Sequence, residues 1–528
     1  MNNKTILLIR PPMRFLPSRT WDMIDLPLGL LYIATNLEKH GYDVILIDGV
    51  MPPEDYSPAE WKRYENYFGV TFEEMERRIS TVDFDVACIS AQYTVQFPNA
   101  VKTGELIKRM KPDCKVIIGG AHVTVQHREI ISNYKCFDVC IRGEGEYAVL
   151  DVMDALKGQK RFDEIGGITF RANNDIISTT QREPIKNLDE LPFPAYHLID
   201  MERYFALNKR FASRTAYTFP GWERGVSLIT SRGCPYRCNF CSIYLHMGRK
   251  WRYHSPEYVL NHMELLIERY GVKYFHLEDD NLTVSPERFE RILSGIIKKG
   301  WKIRWDTPNG VRADTFNFEL LKKCRKTGCT FLIFGIESGV QRVLNEVICK
   351  NIRIEEIEKT AELAKKASVN TRAFYVIGNP GETKEEIKMT VSHALKMIRK
   401  FDCFGGIAMA VPLFGTRLFD DCIKNGYLVK EMTPENIAEG YSHNGMIKTG
   451  EFNPEFLKEM LKLADKKTTA LLKRIFLRRI FSDVRLLFYC IKSTFTTPPL
   501  KWGEVYYKVI FFHHALTWDM EYGRIADR

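Results

Sequence analysis

Cys234, Cys238 and Cys241 lie in the run Gly233-Cys-Pro-Tyr-Arg-Cys-Asn-Phe-Cys241, spaced by three and then two residues. Thiolates on one short loop suit three corners of a cubic iron–sulfur cluster, whose ligands are ordinarily four cysteines. The loop supplies no fourth, so one iron is left open to a small-molecule ligand. The other readings of the trio are a structural zinc site and three core cysteines. A structural zinc needs a second ligand pair, and no downstream Cys-x-x-Cys or His-x-x-x-His provides one.

More polar residues fall in step with a repeat. From residue 224 onward apolar runs at 225–230, 272–277, 302–306, 330–335, 371–377 and 406–411 read as strands with helices between them. Ser255-Pro256-Glu257 and Ser285-Pro286-Glu287 mark helix starts, and Thr383 with Glu386 forms a capping box. Repeated strand–helix units of this period predict a barrel or partial barrel with its site at the C-terminal strand ends. The cysteine loop follows the first strand, Glu278-Asp279-Asp280-Asn281 the second, Glu337-Ser338 the fourth, and Gly378-Asn379-Pro380-Gly381-Glu382 the fifth. The polar residues thus converge on the rim that carries the thiols. Judged singly, each is equally a polar rim or a helix cap.

Ahead of this, strands at 5–9, 43–47, 84–90, 115–118 and 138–141 alternate with helices that include 29–40 and 100–111. The alternation predicts a doubly wound parallel sheet, which binds ligands beyond the carboxyl ends of its strands. Gly49, Gly119-Gly120 and Gly143-Glu144-Gly145 fall at those ends and let backbone approach a ligand closely. Plain tight turns are the other reading, but several strand ends carrying glycine point to a large flat or phosphate-bearing ligand.

At 528 residues the chain is long enough for two or three domains. The 13 scattered cysteines show no secreted framework and fit a reducing cytoplasm. No stretch reaches the roughly 18 apolar residues of a membrane span. Much of the net charge of +10 is local, with ten Lys/Arg between Lys466 and Lys508 against Asp483 and Glu504, interleaved with large apolar residues. This basic amphipathic pattern reads either as a helix packed on its own protein or as a peripheral contact with an anionic membrane.

The trio, with Phe240 before its last cysteine, resembles the radical S-adenosylmethionine superfamily. The resemblance implies a partial (β/α)6, TIM-like barrel and a 4Fe–4S cluster on Cys234, Cys238 and Cys241. Its open iron takes the amino and carboxylate groups of S-adenosylmethionine. An electron from a donor such as flavodoxin or ferredoxin then yields a 5′-deoxyadenosyl radical, which demands a dry, closed cavity. Glu278, Asp279 and Asp280 stand where the family binds the methionine ammonium, which carboxylate oxygens accept. The run departs from the common Gly-Gly-Glu form, so no single member stands out. Glu337 and Ser338 look like the ribose-contacting segment, and Gly378 and Gly381 like the adenine-side turn.

The resemblance extends backward. Pro27-Leu28-Gly29, Ser90, Gly119-Gly120-Ala-His122 and Arg142-Gly143-Glu144-Gly145-Glu146, followed by 188–196, look like the cobalamin-binding domain often fused ahead of such barrels. No Asp-x-His-x-x-Gly occurs, so no histidine is expected below the cobalt, and His122 is at most a polar neighbour. The implied fold class is α/β: an N-terminal Rossmann- or flavodoxin-like cobalamin-binding sheet (1–150), a connector (151–220), a radical core (221–430) and a helical C-terminal region (431–528).

Such fusions resemble enzymes that methylate unactivated carbon or phosphorus. The substrate must lie between two cofactors, so sheet and barrel should face each other across their strand ends. The expectation is a cytoplasmic methyltransferase of a small molecule or, where the basic C-terminus contacts a membrane, of a lipid-like substrate at its surface. A cobalamin-dependent radical cyclase of the tetrapyrrole type is the second expectation. A non-catalytic cobalamin or cluster sensor that binds nucleic acid is the third, and the basic stretch lacks the usual nucleic-acid signatures. Methylthiolation would want a second cysteine trio, and none is visible.

Overall fold

The computed structural model describes residues 5–13, 24–172, 175–212, 221–441, 444–496 and 509–510. Thr5–Arg10 (β1) reads Ile-Leu-Leu-Ile through its middle and buries all four, as a central parallel strand must. Asp43–Asp48 (β2), Val86–Ser90 (β3), Lys115–Gly119 (β4) and Val139–Ile141 (β5) join it in parallel in the order β2-β1-β3-β4-β5. This is the flavodoxin-like order, whose switch point lies between β1 and β3.

Residues 151–220, expected as a connector, do more than connect. Ile168–Ala172 (β6) and Asp175–Ser178 (β7) extend the first sheet antiparallel beyond β5. The helix Met201–Ala212 puts Tyr204 and Phe205 into a core shared by both halves of the chain. That core runs from Leu31 and Val50 to Val226, Phe275 and Leu277.

The second unit starts with Gly225–Leu228 (β8). A short antiparallel ribbon, Ser231–Arg232 (β9) and Arg252–Tyr253 (β10), brackets the cysteine loop. Tyr274–Leu277 (β11), Arg304–Val311 (β12), Cys329–Glu337 (β13), Thr371–Ile377 (β14) and Cys403–Met409 (β15) follow. The six long strands are parallel in the order β8-β11-β12-β13-β14-β15, a barrel left open on one side. Helices Pro256–Tyr270 and Pro286–Lys299 begin where Ser255 and Ser285 accept from Tyr258 N and Arg288 N. Thr383 and Glu386 form the reciprocal capping box. Each such cap stabilises its helix by about 1 kcal/mol.

The helix Pro454–Ser482 packs Leu457 against Ile377 and Met409, and Ile475 against Ile398 and Phe404. Near its end Leu477 and Phe481 are exposed, at 52 % and 78 %, and in the following helix Val484–Thr496 Phe488 is 66 % exposed while Leu486 and Cys490 are buried. Pro498, Pro499, Lys501, Glu504 and Lys508 lie outside the described residues. Among the described residues no helix is long and apolar enough to cross a membrane.

Candidate active site

The C-terminal strand ends of sheet and barrel open onto one cavity of about 680 Å³, within the size range of cofactor sites. Pro27, Gly29, Ser90, Gly119, Gly120, His122, Gly143, Glu144 and Gly145 all line it from the sheet side. Ser227, Arg232, Ser242, His246 and Glu278 line it from the barrel side.

The floor is backbone. Gly120 has φ +132°, and a Cβ there would stand 2.4 Å from the Ala91 carbonyl oxygen. Gly29 has nothing within 4 Å of its would-be Cβ, and Gly119 meets only Ile141, at 3.8 Å. A bare floor under a wide cavity fits a large flat ring. His122 is buried against Phe97, with ring centroids 4.6 Å apart, and its Nδ1 pairs with Thr94 Oγ1 at 3.1 Å. Burial pulls its pKa down to about 4, so the imidazole is neutral.

Glu144 touches this cavity, but its carboxylate is occupied. Arg232 Nη1 and Arg252 Nη1 both donate to it at 2.8 Å, as does Ile185 N at 2.7 Å. Arg232 Nη2 donates to Glu146 Oε1 at 2.7 Å. These side chains are all at most 8 % exposed. The loop after β5 is thereby bound to the ribbon that brackets the cysteines.

The cysteine loop turns sharply at Gly233, with φ +81° and a would-be Cβ 2.6 Å from the Lys250 carbonyl oxygen. The three thiols are half-buried and unbridged. Among the described residues no three His, Cys, Asp or Glu side chains gather for a single metal ion; a cubic cluster, with one thiolate per corner, does not ask for that. Asn239 N donates to Ile348 O at 2.9 Å, and Phe240 packs near Val343 and Val347, which seats the loop on the segment after β13. Asn281 Nδ2 points at Cys234 Sγ from 3.7 Å. Burial pushes the Cys238 thiol up, and the cations of Lys350 and Arg312 pull it the other way. A buried thiol loop with an amide donor and two nearby cations fits an anionic cluster.

The acidic run divides its work. Asp279 is 2 % exposed and ties the end of β8, accepting from Thr230 N at 3.1 Å, Thr230 Oγ1 at 2.8 Å and Ser231 Oγ at 2.5 Å. Asp280 accepts from Gly233 N at 2.7 Å and so braces the cysteine turn; burial pushes it up to about 6. Glu278 faces the cavity, with Ser227 Oγ donating to it at 2.8 Å.

Glu337 has φ +68° and forms a buried ion pair with Lys350 Nζ at 2.8 Å. Ser338 is fully buried, its hydroxyl shared between Thr390 Oγ1 and Val340 N. Gly378 has φ +87° and lies under Leu457 of the C-terminal helix, which a Cβ would meet at 2.6 Å. Gly381 has φ +98°, and its carbonyl accepts from Arg342 Nη2 at 2.8 Å. These four shape the rim beside the cysteines rather than the wall of the large cavity.

Sequence reasoning did not single out Asp25, Tyr93, Arg232 or His246, all of which line the cavity. Asp25 and His246 had a signal in their neighbours: one lies two residues before Pro27, the other five after Cys241.

Residues 228–394 match the Radical SAM superfamily, and residues 24–153 match the B12 binding domain. An uncharacterized methyltransferase of Pyrococcus horikoshii is 30 % identical over 459 residues, covering 87 % of this chain and 91 % of that protein. The cytidylyl-2-hydroxyethylphosphonate methyltransferase of Streptomyces wedmorensis is 30 % identical over 450 residues, covering 79 % of this chain and 82 % of that protein. The solved structure of the radical S-adenosylmethionine methyltransferase TsrM from Kitasatospora setae, with cobalamin and a 4Fe–4S cluster bound, has the same fold. Its TM-score is 0.61 at 15 % identity, with 81 % of this chain and 79 % of that one covered.

Proposed function

This chain belongs to the cobalamin-dependent radical S-adenosylmethionine enzymes, and we propose that within them it methylates an unactivated carbon or phosphorus centre of a small or lipid-like molecule. Its cofactors are a 4Fe–4S cluster, S-adenosylmethionine and cobalamin. When bound, the cluster and S-adenosylmethionine supply hydrogen-atom abstraction, and the corrinoid supplies the methyl group.

The observation that carries this reading is the shared cavity, with a glycine floor on one wall and the barrel rim on the other. In that reading Cys234, Cys238 and Cys241 hold the cluster. Asp280, the acid after β11 that braces the cysteine turn, takes the methionine ammonium. The segments at Glu337 and Gly378 bound the nucleoside side by their backbone. Gly119, Gly120, Gly143 and Gly145 bear the corrin face, with Pro27, Gly29 and Ser90 at its edge and His122 as an apolar-seated neighbour. The two sheets, fixed end to end, hold a substrate between the radical source and the methyl donor.

The reading takes flavodoxin or ferredoxin as electron donor and no nucleic acid. The exposed Leu477, Phe481, Val484 and Phe488, in a stretch that carries Arg474, Arg478 and Arg485, support contact with an anionic membrane. Sedimentation with anionic liposomes tests that contact, and protein left wholly in the supernatant removes it.

Oxygen-free reconstitution should load one 4Fe–4S cluster and one corrinoid per chain. Methylation yields S-adenosylhomocysteine and 5′-deoxyadenosine together. A ring-closed product formed without S-adenosylhomocysteine would make the protein a cyclase instead. Cys238→Ala should abolish 5′-deoxyadenosine formation, and a variant that still cleaves S-adenosylmethionine refutes the cluster assignment.

A further inference from the structure

Asp25 and Glu278 bring one carboxyl group from each half of the chain to the same end of the cavity. Asp25 lies just ahead of the helix Leu28–Lys39, where Arg10 Nη1 holds its backbone carbonyl at 2.7 Å. Glu278 directly follows β11. Ser227 Oγ donates to Glu278 Oε1 at 2.8 Å.

The other charged side chains of the lining are matched: Arg10 with Asp48, and Arg232 with Glu144 and Glu146. Among the described residues neither Asp25 nor Glu278 has a cation within ion-pair distance. Two more groups face the pair. His276 is 6 % exposed and bound through Nδ1 to Asp306 at 2.9 Å, which turns Nε2 to the opposite side. That nitrogen is buried with no hydrogen bond, and the ring's charge acts on both carboxyls. Tyr93, after β3, is 47 % exposed in the cavity wall, with both carboxyls acting on its hydroxyl. Burial pushes both acids up, Glu278 to about 7, with repulsion from Asp25 as the next cause.

Carboxyl groups with no cation in contact, only the more distant charges of His276 and Arg10, beside an aromatic ring and open to a cavity, are completed by a cationic hydrogen-bond donor. Their place decides whose donor it is. Gly119 and Gly120 of the floor follow β4, and Gly143 and Gly145 follow β5, whereas the acid pair lies at β1, β8 and β11, across β3 from them. A corrin on the floor leaves the pair facing the space between the cofactors.

Resting on the function proposed above, we infer that Asp25, Glu278 and Tyr93 form a subsite for a protonated amine on the methyl-accepting substrate. Calorimetric titration of the reconstituted protein with n-hexylammonium and with n-hexanol, without S-adenosylmethionine, tests this. Hexylammonium should bind at least tenfold more tightly than hexanol, and Asp25→Asn with Glu278→Gln should remove the preference. Equal binding of the two probes by the unaltered protein overturns the inference without need of a variant. So does a preference that survives the double substitution. Corrinoid absorbance and 5′-deoxyadenosine yield of the same preparation report on the function separately. Full loading and cleavage with no amine preference sink only the subsite. A protein that takes up no corrinoid sinks the function, while titration of the protein as isolated still reads the pair.

Discussion

At Glu144 a carboxylate that lines the cavity also joins the two halves of the chain. Its partners Arg232 and Arg252 are 88 and 108 residues away, so no local pattern could have paired them. Both guanidiniums are as buried as the carboxylate, and desolvating three charges offsets much of their attraction. Removing one member is a different matter, because the others stay buried and uncompensated. Glu144→Ala should therefore cost about 3–5 kcal/mol, read by urea unfolding of the cluster-free protein. Burial alone would raise the Glu144 pKa, but Arg232 and Arg252 outweigh it and hold it below the usual carboxylate value. A depressed folded-state pKa contributes stability that is present above the unfolded value, about 4.3, and lost as pH falls through the folded one. The variant should thus also flatten the acid limb of the stability profile. A stability loss below 1 kcal/mol would show that the bridge carries little of the contact between the halves.

Elements were legible where their signal is local. Continuous apolar runs gave every parallel strand of both sheets, and Ser-Pro-Glu gave two helix starts, because burial on both faces and capping are written within a few residues. β6 and β7 were not legible: one buries Ile168 and Phe170 while Arg171 is exposed, and the other starts at an exposed Asp175 and is only half-buried after it. Such edge strands form because β5 offers a free edge, which the sequence does not show. β12 outran its apolar stretch for a similar reason, since its Pro308-Asn309-Gly310 end is the polar rim itself. At the site, glycines at strand ends were legible as a floor, while the division of labour among Glu278, Asp279 and Asp280 was not, since alternate residues of a run turn to different neighbours. The cysteine turn is the element where backbone geometry is least forgiving. Gly233→Ala places a methyl 2.6 Å from the Lys250 carbonyl oxygen and 3.0 Å from that of Gly248, at a φ that L side chains rarely adopt. The loop must then open, so iron and sulfide content after reconstitution should fall severalfold while the far-ultraviolet circular dichroism is kept. Full cluster loading in this variant would mean that the three thiols reach their corners without the tight turn.

Across the whole molecule, the sheet and the barrel are fixed by the shared apolar core through Tyr204, Phe205 and Val226 and by the Glu144 bridge beside it. A large apolar contact of this kind disfavours free motion between domains, so the cavity is a permanent chamber whose two walls can be altered independently. Gly119 is the place to alter one. It lies on the floor, and a Cβ there meets nothing closer than Ile141 at 3.8 Å, so a side chain is tolerated by the fold and must occupy the chamber. Gly119→Trp should then exclude a planar macrocycle while the cysteine loop, held by Gly233, Asp280 and Ile348, keeps its geometry. The expected outcome is at least a tenfold loss of corrinoid absorbance, with iron content equal to that of the unaltered protein. Loss of both would mean that the two walls fold only together. Retention of the corrinoid would place it off the glycine floor, and the substrate would then have to reach the barrel rim by another route than the chamber between the sheets.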